Sequence, residues 1–93
     1  MKAAKRDDNE KEIVEYLRAA GARVQFMCKD EGFDLLVTYQ GYHHVVEVKN
    51  PTRKWVLTDA EEKTLEEMEH AGGMYWIIED ITDAEWILHW KTE

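Results

Sequence analysis

Two apolar, largely β-branched runs, Phe33-Asp34-Leu35-Leu36-Val37 and His43-His44-Val45-Val46-Glu47-Val48-Lys49, flank the segment Thr38-Tyr39-Gln40-Gly41-Tyr42. No other feature narrows the fold of this chain so far. Five residues containing one glycine suit a hairpin turn, with Gly41 supplying a backbone angle that other residues avoid. The two runs are therefore expected to pair antiparallel. Side chains alternate across a strand, so Glu47 and Lys49 face one side while Val46 and Val48 face the other. Antiparallel pairing would set Asp34 beside Glu47 on one face. Two carboxylates and an ammonium at the end of a small sheet suit a divalent cation with a water to activate.

The rest of the chain supplies elements to place around this hairpin. Asp8 or Asn9 caps a helix predicted to run to about Ala20, with Gly21 as its stop. Ile13, Val14, Leu17 and Ala20 form its apolar stripe, and Glu10 shares that stripe. Arg23–Cys28 reads as a strand with Val24, Phe26 and Cys28 facing in, followed by a turn over residues 29–32. Asn50-Pro51 ends the third strand, and a loop over residues 51–57 exposes Arg53, Lys54 and Trp55. Thr58 or Asp59 caps a second helix, through His70 or Ala71, that Gly72-Gly73 terminates. Glu61, Leu65 and Met68 share one of its faces. Met74–Ile78 is a fourth, buried strand with Trp76 in the core. Thr82 or Asp83 caps a short last helix carrying Trp86, Ile87 and Trp90.

The expected fold is an α/β domain with a small mixed β-sheet. Its order is helix, three-strand antiparallel meander, crossover helix, strand and short C-terminal helix. The crossover makes the third and fourth strands parallel. Residues 1–93 are expected to form a single domain, with 1–8 polar and flexible. Hydrophobic content of 44% and charged content of 34% suit a globular chain. The lone Cys28 and the lack of a long apolar stretch or leader pattern indicate a cytoplasmic protein with no membrane association.

The net charge of −8 opposes indiscriminate binding to polyanions. Its distribution is uneven. Residues 1–29 hold seven bases and five acids, while residues 30–93 hold five bases and fifteen acids. Lys49, Arg53 and Lys54 nevertheless form a segment free of acids, where a phosphate backbone could be met locally.

Asp34 followed by Glu47-Val48-Lys49 resembles the PD-(D/E)XK nuclease superfamily. The similarity extends to its small virus-type replication-repair nuclease (VRR-NUC) domains, found alone in phages and bacteria. Asn9-Glu10 before the first helix, Gly32-Phe33-Asp34-Leu35-Leu36-Val37, Val45–Lys49 and Leu57-Thr58 all match in order. The match runs from about Arg6 to about Asp80. A restriction-endonuclease-like fold is implied, with Mg²⁺- or Mn²⁺-dependent hydrolysis of DNA phosphodiesters. By the resemblance, Asp34, Glu47 and the Val48 main-chain carbonyl would coordinate the metal, joined by Glu10. Lys49 would orient or activate the attacking water. Hard oxygen ligands favour these ions. The chain departs from the pattern in its overall acidity, at Phe33, where proline is common, and at Glu61, where glutamine is usual. Glu61 would add a fourth acid near the metal or repel the substrate phosphate.

Branched or flapped DNA, including a Holliday junction, is the expected substrate, in DNA repair within a bacterial or phage-infected cell. Arg53, Lys54 and Trp55 are candidate DNA contacts. Trp86 and Trp90, four residues apart, suggest a homodimer surface that would suit symmetric cutting. Against this stands a non-catalytic module of the same fold that acts by binding protein or nucleic acid. Glu47 and Lys49 would then form an ordinary surface ion pair. His43, His44 and Cys28 match no zinc spacing.

Overall fold

A computed structural model describes residues 8–90. The expected flexibility of residues 1–8 falls, Asp8 apart, outside the described residues. The elements are α1 (Asp8–Ala19), β1 (Arg23–Phe26), a single 3₁₀ turn (Lys29–Glu31), β2 (Leu35–Tyr39), β3 (Tyr42–Val48), α2 (Asp59–His70), β4 (Tyr75–Ile78) and α3 (Ile81–Leu88). The strands form one mixed sheet in the order β1-β2-β3-β4. β1 and β2 pair antiparallel, as do β2 and β3, while β3 and β4 run parallel across the α2 crossover.

The hairpin is set by its turn. Gln40 and Gly41 both adopt positive φ, 48° and 86°, as a two-residue turn of the type matching strand twist requires. Tyr39 then pairs with Tyr42, and the register runs back to Leu35 opposite Val46. That alternation sends Leu35, Val37 and Val46 into the core, each with no exposed surface. Ile13, Val14 and Leu17 of α1 cover them, together with Ala84 and Ile87 of α3. Complete burial of each large aliphatic side chain contributes about 1.5–3 kcal/mol. The second sheet face is covered differently. Glu61, Thr64, Leu65 and Met68 of α2 are half-buried in the expected stripe, and no residue of this helix is fully buried. Its anchors are polar. Thr58 and Glu61 form a reciprocal capping box, and Thr64 packs against Gly32.

Several sequence expectations are corrected. Asp8 and Asn9 are already helical, so neither caps α1. Ala20 lies in the turn after α1 and is exposed. β1 ends at Phe26, which is 43% exposed, and Cys28 is exposed beyond it. β1 is an edge strand, and at its rim Phe26 is met by the Arg18 guanidinium, 5.5 Å from the ring centroid. β4 starts at Tyr75, leaving Met74 exposed, and Trp76 is half-buried against the core rather than inside it. Asp80, not Thr82 or Asp83, caps α3 by accepting from the Asp83 N–H, while the Asp83 carboxylate accepts from the Glu79 N–H. Trp86 and Trp90 do not share a helical face. α3 stops at Leu88, Trp90 turns edge-on to Trp76 at 5.9 Å, and Trp86 stays 66% exposed.

Candidate functional site

Asp34 precedes β2 and does not simply sit opposite Glu47 as strand alternation suggested. Its N–H donates to Val46 O at 3.0 Å, although Leu35 is already the partner of Val46. Two residues thus face one, the count of a β-bulge. The Asp34 carboxylate takes the place of a ladder carbonyl and accepts the Val48 N–H at 2.9 Å. An extended residue directs its N–H and C=O to the same side. The Val48 carbonyl therefore also points toward Asp34, away from β4, which is bonded through Lys49 N–H to Ile78 O at 2.9 Å. The bulge turns one carboxylate and one main-chain carbonyl toward each other at the end of β3.

Glu47, next in β3, faces α2 and is 2% exposed. Its Oε2 lies 3.3 Å from Lys49 Nζ. Its Oε1 is buried with no hydrogen-bond partner. Burial is the main force on this carboxyl, followed by the Glu61 carboxylate, which is close enough to share its proton, and by Asp34. Against the weaker pull of Lys49, these push its pKa from 4.5 up to about 9. Lys49 Nζ lies 2.8 Å from Glu61 Oε1. Burial draws the lysine pKa down, but the bond to Glu61 and the charges of Glu47 and Glu61 more than offset this and leave it raised. For Glu61 burial acts upward. The bonds from Glu47, Lys49 and the Thr58 N–H outweigh it, and the pKa is lowered.

The site is short of positive charge. Glu47 and Glu61 share one ammonium, Lys49, and Asp34 adds a third acid acting on Glu47; burying like charges together is costly. The upward push on the Glu47 pKa relieves this by favouring its protonated form. A divalent cation would offset the same excess and give the orphaned Oε1 a partner. Among the described residues, no three His, Cys, Asp or Glu side chains form a ready metal group. The donor set at the bulge is instead two carboxylates and a carbonyl. That set fits Mg²⁺ or Mn²⁺, which bind through few carboxylates and keep several waters.

The other expected site residues lie on α1 and on the loop after β3. Glu10 is buried in the first turn of α1. It lines an open cleft between α1 and β1 with Val14, Arg18 and Phe26. Arg53 and Lys54 are exposed on the loop after β3. Trp55 on the same loop is exposed but has protein partners. Its Nε1–H donates to Glu79 Oε2 at 2.8 Å, and Lys49 Nζ lies 5.9 Å from its ring centroid.

Two contributors escaped sequence reasoning. Tyr75 O–H donates to Gly32 O at 2.6 Å, tying β4 to the turn two residues before Asp34. Burial, then the charges of Glu47, Glu61 and Asp34, raise its pKa well above the usual phenol value. Asn9 Nδ2 donates to both Lys49 O and Glu79 O at 3.0 Å, joining the start of α1 to the ends of β3 and β4. The expected parallel pairing of the third and fourth strands was the one signal for the tyrosine; the structure sets it beside Val45, two residues before Glu47. Nothing in the sequence singled out the reach of Asn9. Comparison with known protein families, with curated proteins and with solved structures finds no match to this chain.

Proposed function

We propose that the protein is a divalent-metal-dependent nuclease of restriction-endonuclease-like fold that hydrolyses DNA phosphodiester bonds. The observation that carries this reading is the buried Glu47 carboxylate, one oxygen unpartnered, beside Asp34 and Lys49 at the bulged end of β3. Asp34, Glu47 and the Val48 carbonyl would hold Mg²⁺ or Mn²⁺. When bound, the ion supplies charge for the phosphoryl group and a more acidic water. The chain's own groups do the rest. Asp34 and the Val48 N–H fix each other, so the carboxylate does not swing. Lys49 donates to an attacking water or to a phosphate oxygen, and its raised pKa keeps it protonated at neutral pH. Tyr75 anchors the Gly32 turn that carries Asp34. Glu10 belongs to this reading only as an outer acid.

Lys49, Arg53 and Lys54 provide the local positive segment by which an otherwise acidic protein admits a phosphate backbone. The substrate class in this reading is branched or flapped DNA, including four-way junctions, in the repair metabolism of a bacterial or phage-infected cytoplasm. Exposed Trp86 on α3 is the surface assigned to a second copy. A panel of linear, flapped and four-way DNA with Mg²⁺ or Mn²⁺ tests the proposal. Cleavage that depends on metal and is lost in Asp34→Asn and Lys49→Ala supports it. Intact substrate throughout would leave the same fold acting as a binding module.

A further inference from the structure

We infer that Glu61 is an internal competitor of the substrate phosphate for Lys49, so that the first turn of α2 acts as an autoinhibitory latch. The inference rests on the nuclease reading of the site. An ammonium has three donors and no acceptor. Lys49 directs Nζ at Glu61 Oε1, 2.8 Å away, and at Glu47 Oε2, 3.3 Å away, with the Trp55 ring on another side. Both acceptors come from the protein, Glu61 bearing the counter-charge, and the lysine side chain is only 12% exposed. Two of its three donors are thus directed at carboxyl oxygens, so a phosphate oxygen approaching Nζ competes with these neighbours. Glu47 belongs to β3 and to the metal-holding set, and Trp55 is tied to Glu79. Glu61 belongs to a helix with no buried residue, so it is the neighbour that yields.

The same Glu61 oxygen also accepts the Thr58 N–H at 2.9 Å, closing the capping box. Release of Lys49 therefore loosens the start of α2. The latch couples an event at the lysine to the helix beside the loop over residues 51–57, where Arg53 and Lys54 are exposed. Glu61→Gln keeps an oxygen for the Thr58 N–H but removes the charge that competes with phosphate. Thr58→Ala does the reverse, weakening the cap and leaving the Lys49 contact.

Binding of a short, labelled oligothymidylate, followed by fluorescence anisotropy in EDTA so that no cleavage intervenes, separates the two roles. Glu61→Gln is expected to bind about tenfold more tightly than wild type, a typical coupling between sites. Thr58→Ala is expected to bind as wild type does while melting at lower temperature. Equal affinity in Glu61→Gln, or no binding by any of the three proteins, overturns the latch. Should Glu61→Gln not fold, nuclear magnetic resonance of the wild type decides. Added oligothymidylate should shift the Lys49 ammonium and the Thr58 amide together, and an unmoved Thr58 amide would overturn the inference. Metal binding and cleavage by wild type are unaffected by either result, so the nuclease reading stands or falls separately.

Discussion

The buried Glu47 carboxyl predicts an unusual dependence of metal-free stability on pH. Its pKa stands at about 9 in the folded protein against 4.5 ordinarily. Between those values the folded state holds a proton that the unfolded chain has lost. Folded protein therefore binds more protons, and stability falls as pH rises. The contribution is complete below the unfolded pKa and is lost as pH climbs through the folded one. One proton corresponds to a slope of about 1.4 kcal/mol per pH unit. From pH 6 to pH 8 the loss is then at most about 3 kcal/mol, and water penetration and the Lys49 contact reduce it to about 1–2 kcal/mol. Other groups titrate too, so the quantity to read is the difference between wild type and Glu47→Gln. Urea denaturation in EDTA at pH 6 and pH 8 gives it directly. Wild type should lose about 1–2 kcal/mol more than the variant over that interval. Equal pH dependence in the two proteins would refute the account of Glu47 as a protonated, charge-crowded carboxyl.

Two further predictions concern the scaffold. At Gly32, with φ of +82°, an added Cβ would strike Thr64 Oγ1 and lie 2.8 Å from Ala60 O. Gly32→Ala should cost about 3 kcal/mol and lower the melting temperature by roughly 15 °C, read by calorimetry, and it should weaken metal binding by displacing Asp34. The buried His44 accepts the Trp76 Nε1–H at Nδ1, 3.2 Å away, which requires the neutral ring. Burial, then His43, hold its pKa below the ordinary 6.5. The folded state thus binds fewer protons than the unfolded one, and stability is lost as pH falls below about 6.5. Near-ultraviolet circular dichroism from Trp76 should report that acid transition at lower pH in His44→Gln than in wild type.

Strong local patterns made much of the fold legible in the sequence. Gly41 within a five-residue gap fixes the hairpin, and the crossover between Val48 and Tyr75 fixes the parallel pair. Thr58 with Glu61 three residues later marks the start of α2. The errors fall at ends and edges, where tertiary cover rather than periodicity decides. Phe26 has the right parity to be buried, but β1 is an edge strand. Trp90 has helical spacing from Trp86, but α3 ends before it. The site was legible in its residue types and not in its geometry. Asp34, Glu47, Lys49 and Glu61 do come together, yet a β-bulge, which alternation cannot foresee, aims Asp34 at Val48. Asn9 and Tyr75 join segments far apart in the chain, and a contact of that range leaves no local pattern.

The bulged end of β3 is the proposed divalent-cation site. Calorimetric titration of Mn²⁺ into wild type and Asp34→Asn at pH 7, repeated in buffers of different ionisation enthalpy, tests it most directly. Wild type should bind with release of about one proton, the one held by Glu47, and Asp34→Asn should bind far more weakly. Equal binding in both proteins, or binding by wild type with no proton released, would contradict the account.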